Sequence, residues 1–367
     1  MSIIRKYEGV QKQKMNGAKF LPAMSLVRLC YAIGDNLGRT VRCYEDGEVI
    51  ICPDPHSEEL LHLKHTDVAV AACFSTSNDN ALLFVAFSGG DLFCFNNSTC
   101  ENHRIQLSSS LPSTSTITAI TAAFDSSART PCHKCFVGTY SGHVVSVSVT
   151  LFPSFSFSVS TLSLPDSLPT NSPVTSLSCL ATIQQLFCLC CFSSSTAVLL
   201  SEHHKVSLPL PALPLSCILT SNKSNSRLVF VISTVSGILY YILHADHVKS
   251  SDPVLISTVK SNIPINRLLL VRSKADVGDL ISVVAASLEG SVHVIHTPLK
   301  LSSSECIQDL PNAVTSEQLP SFPVGITLDV DGGVHVFDCQ NYSILATSLA
   351  QEMRSLGKLS LDSILND

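Results

Sequence analysis

The stretch Leu328-Asp329-Val330-Asp331-Gly332-Gly333-Val334-His335-Val336-Phe337-Asp338-Cys339 decides how this chain is read. Its first residues end a strand, and Asp331-Gly332 makes a tight turn. The second strand sets Val334 and Val336 on one face and His335 and Phe337 on the other. A turn this short needs positive φ, which glycine adopts at little steric cost.

The same phrase recurs along the chain. It appears at Gly47 (EDGEVIIC), Gly90 (SGGDLFCF), Gly142 (YSGHVVSVSV), Ser195 (SSSTAVLL), Gly237 (VSGILYYIL), Gly290 (LEGSVHVIH) and Gly332 (DGGVHVFD). The intervals are 43, 52, 53, 42, 53 and 42 residues, and six of the seven positions take a glycine from the 16 in the chain. An apolar segment precedes each turn, at 40–44, 82–87, 134–139, 186–192, 228–234, 280–287 and 324–328. A third segment lies upstream in six units, at 26–33, 68–74, 117–124, 174–180, 215–220 and 265–271. A more polar fourth follows at 60–64, 103–107, 155–162 and 343–349. Four short antiparallel strands per unit of forty to fifty residues is the pattern of a β-propeller blade. The sequence therefore predicts an all-β fold, seven blades of four antiparallel strands over residues 25–350. A basic arm (1–24) precedes it, and a tail (351–367) follows. The seventh unit shows no clear first strand between Leu310 and Pro323.

The second unit resembles a WD40 repeat in its residues as well as its period. His65-Thr66-Asp67 is followed by the strand from Val68 to Ser75 and then by Leu82 to Phe95. His65 matches the histidine of the family's Gly-His pair, with Lys64 in place of the glycine. Asp331 to Asp338 is similar to the family's third strand, with Phe337 where tryptophan is usual and Asp338 as the aspartate after it. Asp331 and Asp46 match the family's turn aspartate. The departures are clear: the chain has no Trp, and Gly89 stands where the second unit should carry its turn aspartate. The resemblance implies a divergent WD40-like ring, with the hydrogen-bonded brace of a standard blade mostly absent. It also implies a scaffold role.

Composition bounds the function. Hydrophobic residues make up 45% of the chain, charged residues only 14%, and the net charge is −6. Residues 1–28 hold six basic side chains against Glu8, a net of +5, so the remainder carries −11. Nucleic acid is thus an unlikely partner except through the N-terminal arm. The 15 cysteines are odd in number and irregular in spacing, which suits buried reduced thiols acting as small hydrophobes. No apolar secretory core follows the charged N-terminus, so a reducing compartment, cytoplasmic or nuclear, is expected. Residues 176–200 are uncharged and long enough to span a bilayer. Gln184, Gln185 and the Ser193-Ser194-Ser195-Thr196 break favour two buried strands joined by a turn instead, so no membrane span is expected.

Catalytic chemistry is poorly supplied. Cys132-His133-Lys134-Cys135 has half of a zinc-ribbon spacing, but no second C-x-x-C exists to complete four ligands. Cys94 and His143 are its conceivable completions. His203-His204 reads as an exposed turn, and His293, His296 and His335 as strand-face residues. No nucleophile elbow, phosphate-binding loop or H-E-x-x-H occurs. No catalytic residue, cofactor or metal is assigned. Loops rich in Ser, Thr and Pro at 108–116, 165–173, 250–253 and 302–320 extend the longer units, and 208–215 reads as a proline-rich linker. Tail residues Met353, Leu356 and Ile364 fall at helical spacing, as packing on the protein's own surface or as an offer to a partner's groove. The expectation is a non-catalytic scaffold within a larger eukaryotic protein assembly. An enzyme or zinc protein using Cys132 and Cys135, and a membrane-associated protein through 176–200, are the alternatives.

Overall fold

The computed structural model describes residues 29–349 apart from the connections 35–39, 53–60, 245–251, 272–279, 288–291, 299–305, 310–323, 329–332, 339–343 and some shorter ones. Side chains are described chiefly between 41 and 271. The described residues form seven sheets and no helix.

Sheet 1 holds β1 (Leu29–Gly34), β2 (Thr40–Tyr44), β3 (Glu48–Cys52) and β4 (Leu61–Lys64). Sheet 2 holds β5 (Ala69–Thr76), β6 (Ala81–Phe87), β7 (Asp91–Asn96) and β8 (Asn102–Gln106). Sheet 3 holds β9 (Ile117–Asp125), β10 (Cys132–Thr139), β11 (Val144–Thr150) and β12 (Ser156–Thr161). Sheet 4 holds β13 (Val174–Ala181), β14 (Leu186–Phe192), β15 (Thr196–Leu200) and β16 (Lys205–Pro209). Sheet 5 begins with β17 (Pro214–Ser221), β18 (Arg227–Thr234), β19 (Gly237–His244) and β20 (Val254–Lys260). Sheet 6 holds β21 (Ile265–Val271), β22 (Leu280–Ser287) and β23 (Val292–Pro298). The strand β24 (Cys306–Asp309) leaves that sheet and pairs in parallel with β20, making sheet 5 five-stranded. Sheet 7 holds β25 (Val324–Leu328), β26 (Gly333–Asp338) and β27 (Ile344–Leu349).

The first strands form an inner ring. β1 lies against β5, β5 against β9, β9 against β13, β13 against β17 and β17 against β21, while β25 of the last sheet returns to β1. The second strands explain why a ring is the stable answer. β6 and β14 are buried at every position, so neither face can meet water. Side chains alternate across a strand. Leu82 and Phe84 accordingly join a cluster with Val137 and Val147 of sheet 3, while Leu83, Val85 and Phe87 join Val41 and Val49 of sheet 1. Sheet 4 repeats this: Cys188 and Cys190 pack with Phe136 of sheet 3, Phe187 and Leu189 with Phe230 of sheet 5. Each fully buried phenylalanine or leucine stabilises by roughly 1.5–3 kcal/mol, so every sheet needs a neighbour on both sides.

The seven expected units are all present, and details differ in three places. The count of four antiparallel strands per sheet holds for sheets 1 to 4, whereas sheet 5 gains a parallel fifth strand and sheets 6 and 7 show three among the described residues. Fourth strands exist in the fourth and fifth units, β16 and β20, where the sequence offers only a polar turn, a proline-rich linker and a loop. They escape notice because an outer strand buries one face at most: β16 alternates exposed and half-buried residues. Part of the 302–320 loop is the strand β24. The uncharged stretch 176–200 lies in three strands, β13, β14 and β15, and no helix among the described residues is long and apolar enough to cross a membrane.

Candidate functional site

The turns between second and third strands lie on one rim of the ring. In the five described turns the repeat residue has positive φ: +77° at Gly47, +93° at Gly90, +84° at Gly142, +55° at Ser195 and +141° at Gly237. A side chain at Gly47 would meet the His65 carbonyl at 2.1 Å. Ser195 takes the same conformation with a Cβ, at a cost of about 1–2 kcal/mol. Gly290, Gly332 and Asp331 lie outside the described residues, as do Met353, Leu356 and Ile364 of the tail. Phe337 and Asp338 sit on β26 opposite Gly325 and Val324.

Beside these turns is a brace that the sequence does not announce. His65 Nδ1 accepts a hydrogen bond from the Asp67 amide at 3.0 Å, so its Nε2 carries the proton and donates to Asp91 Oδ2 at 3.0 Å. Arg104 donates to the same oxygen at 2.6 Å. The imidazole packs on Phe87, ring centres 4.2 Å apart, with Phe93 edge-on at 5.7 Å. Asp91, immediately after the Gly89-Gly90 turn, supplies the carboxylate that Gly89 cannot, so the second blade is braced without the turn aspartate. Gly89 is instead where Asp67 lies: a Cβ there would fall 2.0 Å from Asp67 Oδ2. Among the described residues Asp46 engages no histidine. It accepts from Lys64 Nζ and from the Glu48 amide, and the Lys64 hydrogen bond lowers its pKa.

In sheets 3 to 5 small hydroxyls occupy the same place. Thr139 Oγ1 and Ser141 Oγ are 3.0 Å apart, and Ser141 reaches His143 Nδ1 at 2.9 Å. Ser172 Oγ accepts from the Ser194 amide at 3.0 Å. Thr234 Oγ1 lies 3.1 Å from Ser236 Oγ and donates to the Gly237 carbonyl. Part of the chain's Ser and Thr content is thus spent closing turns.

The C-x-x-C segment lies within β10, with both thiols buried. Residues three apart on a strand point to opposite faces. Cys135 and His133 face sheet 2, where His133 Nδ1 meets Ser75 Oγ at 2.8 Å. Lys134 faces the other way and pairs with Asp125 at 2.9 Å. Cys132 shares that face, so the two cysteines cannot hold one ion. Burial lowers the His133 pKa to about 4 and raises Cys94 and Cys179 to about 12. Such thiols are poor nucleophiles and poor ligands. Among the described residues, one group of His, Cys and acidic side chains is close enough to share an ion, His65, Asp67 and Asp91. Both ring nitrogens of His65 are already engaged, and Asp91 is already neutralised by Arg104.

The inner strands are nearly free of charge: Asp125 and Arg267 are their only Asp, Glu, Lys or Arg residues. Exposed apolar side chains lie elsewhere. Tyr140 and Val235 project from the turn rim, Ile183 from the turn between β13 and β14, and Phe157 from β12. A cavity of about 300 Å3 opens between the sheet 3 turn and the segment 162–172.

No protein-family model matches the chain, and no curated protein does. Solved structures do. BBS1N in complex with ARL6DN, soaked with lead, matches at a TM-score of 0.52 and 12% identity, covering 91% of this chain and 95% of that one. The Saccharomyces cerevisiae protein Sqt1 matches at 0.52 and 13%, covering 74% and 73%. The dihydro-heme d1 dehydrogenase NirN in complex with DHE matches at 0.55 and 13%, covering 89% and 67%. The fold is a β-propeller. At these identities the likeness carries the fold and nothing finer, and the propeller's function has to come from its own surfaces.

Proposed function

We infer that this protein is a divergent WD40-like propeller that serves as a non-catalytic protein-interaction scaffold, a subunit of a larger eukaryotic assembly in the cytoplasm or nucleus. The observation that carries the reading is the contrast between channel and rim. A propeller that does its chemistry in the channel needs ionisable or metal-binding side chains on its inner strands, and these carry mostly Ala, Val, Leu, Ile, Ser, Thr and Cys, with Asp125 and Arg267 their only Asp, Glu, Lys or Arg residues. The rims present Tyr140 at 67% exposure and Ile183 at 85%, on turns held by a rigid ring. One structural neighbour is itself a complex, BBS1N with ARL6DN, which supports the reading by analogy. NirN, a dehydrogenase on a similar frame, is the counter-example. Its precedent has no matching observation in this channel.

Affinity purification of the tagged protein from its native cell under gentle salt, followed by sizing and mass spectrometry, tests this. The expected result is a stoichiometric complex that exchanges partners weakly. A monomer of the chain's own 39.4 kDa, recovered alone under all conditions, would refute it.

A further inference from the structure

The outer strand of a sheet has one side that the sheet itself leaves unpaired, and an open edge invites a further strand. The register shows which backbone groups face out. In β4 the His65 amide donates to the facing Gly47 carbonyl, so the alternate residues His62 and Lys64 turn their amides and carbonyls away from the sheet. By the same reasoning Asn102, Arg104 and Gln106 face out in β8, from the Leu107 bond to Gly90. Phe157, Val159 and Thr161 do so in β12, from Leu162 to Val144. Lys205, Ser207 and Pro209 do so in β16, from Leu210 to Ser195. Thr258 and Lys260 do so in β20, from Ser261 to Ser236.

Charge and proline at such positions are how sheet edges are protected. β4 has Lys64, β8 has Arg104, and β16 has Lys205 and Pro209. β20 is covered by β24, paired along Ser257–Lys260. Among the outer strands whose side chains are described, β12 alone carries neither, and no described strand pairs with its outer side, where Thr161 Oγ1 donates to the Ser110 carbonyl at 3.3 Å. Ser154-Phe155-Ser156-Phe157-Ser158-Val159-Ser160-Thr161 carries no charge and no proline, and its ladder with β11 runs without a bulge. Every residue from Ser156 to Thr161 except Val159 is exposed. Beside it, His103 stacks on Phe155 with ring centres 3.6 Å apart, and Phe157 lies 6.2 Å from Phe155 at 49% exposure. On the other face Ser160 and Ser163 line a cavity of about 340 Å3 shared with Ser146 and Ser148 and with the charged side chains of Asp125, Lys134, Glu202 and Lys205.

We propose that β12 is a docking edge, to which an extended, largely uncharged segment of a partner protein adds as the fifth strand of sheet 3. Its backbone pairs with Phe157, Val159 and Thr161. Its alternate side chains rest on the aromatic ledge of His103, Phe155 and Phe157, and the others face the cavity of serines and charged side chains. β24 on β20 is the molecule's own example of such an addition. The proposal rests on the scaffold reading and names the surface it would use.

The test selects phage-displayed random dodecapeptides on the intact protein and maps the winners by amide hydrogen exchange. The expected peptides alternate apolar residues and protect the amides of Phe157, Val159 and Thr161. They bind at least about tenfold more weakly to Phe157→Pro, which removes an outward N–H while sparing the ladder to β11. Phe157→Lys, which places on this edge the charge that β4 carries, should weaken them similarly and guards against a folding defect in the proline variant. Ser207→Pro on β16 should leave binding unchanged. Failure to select any peptide, protection of other amides, or indifference to both Phe157 variants overturns the proposal. So does a homodimer dissolved by Phe157→Lys, because the occupant is then a second copy. A native partner that stays bound to both variants would sink the edge and leave the scaffold reading standing.

Discussion

Replacing Asp91 by alanine tests whether the His65 brace holds the second blade together. The His65 side chain is only 9% exposed, and its Nε2–H has one acceptor, Asp91 Oδ2 at 3.0 Å. Removing the carboxylate leaves a buried donor without a partner, which costs about 1–3 kcal/mol. The Arg104 contact adds little to that, since Arg104 is half exposed and its charge is solvated once released. For a chain of this size the loss corresponds to a fall in melting temperature of roughly 1–4 °C. Asp91→Asn keeps an acceptor in place and should fall by less than half as much. A cycle with His65→Ala measures the pair directly: the two losses should fail to add by at least about 0.5 kcal/mol. Circular dichroism at 218 nm during heating and urea titration gives both quantities. The reasoning is refuted if Asp91→Ala melts with the parent, or if asparagine costs as much as alanine.

Other outcomes follow from the same geometry. His133 is held neutral by burial, with a folded pKa of about 4 against about 6.5 unfolded, so the unfolded chain binds the extra proton between those values. Its contribution is flat above pH 6.5 and stability is lost as pH falls toward 4; urea midpoints of His133→Gln should gain on the parent over that interval, and parallel curves would count against the assignment. Ser195→Gly should stabilise by up to about 1 kcal/mol, because a residue at φ +55° loses its Cβ strain. Gly47→Ala should destabilise by at least about 2 kcal/mol through strain at φ +77° and the His65 carbonyl at 2.1 Å; equal melting of parent and variant in either case refutes the strain argument. Cys94 and Cys179, both pushed up to about 12 by burial, should resist iodoacetamide at pH 8 in the native protein and label on unfolding, as read by peptide mass spectrometry; native labelling at the rate of free glutathione would show the thiols to be accessible.

The ring is written in the sequence where backbone need and residue type coincide. Positive φ at a tight turn calls for glycine, so Gly47, Gly90, Gly142 and Gly237 stand out, and Ser195 is found by its spacing alone. The doubly buried second strands, such as Leu186–Phe192, show as unbroken apolar runs. The outer strands are illegible for the opposite reason. Lys205–Pro209 is held by ladder bonds, which any sequence can make, and carries a lysine and a proline because it is an edge. The brace is equally hidden: Asp91 and His65 lie 26 positions apart, and only the folded strands bring an ordinary aspartate to the imidazole. Cys132 and Cys135 mislead because their spacing suggests zinc when read as a loop, and opposite faces when read as a strand.

Because each of the first four sheets is built from four consecutive strands, nearly all its hydrogen bonds join neighbours in sequence. Such a chain can pair its strands in order as it leaves the ribosome, with little long-range searching, while the apolar faces of each sheet wait for the next. Sheet 5 breaks this order. Its outermost strand, Cys306–Asp309, is made only after the whole of sheet 6, so from Lys260 until Asp309 emerges the edge of β20 stands uncovered. During synthesis that interval leaves β20, like β12, open to pairing with another strand.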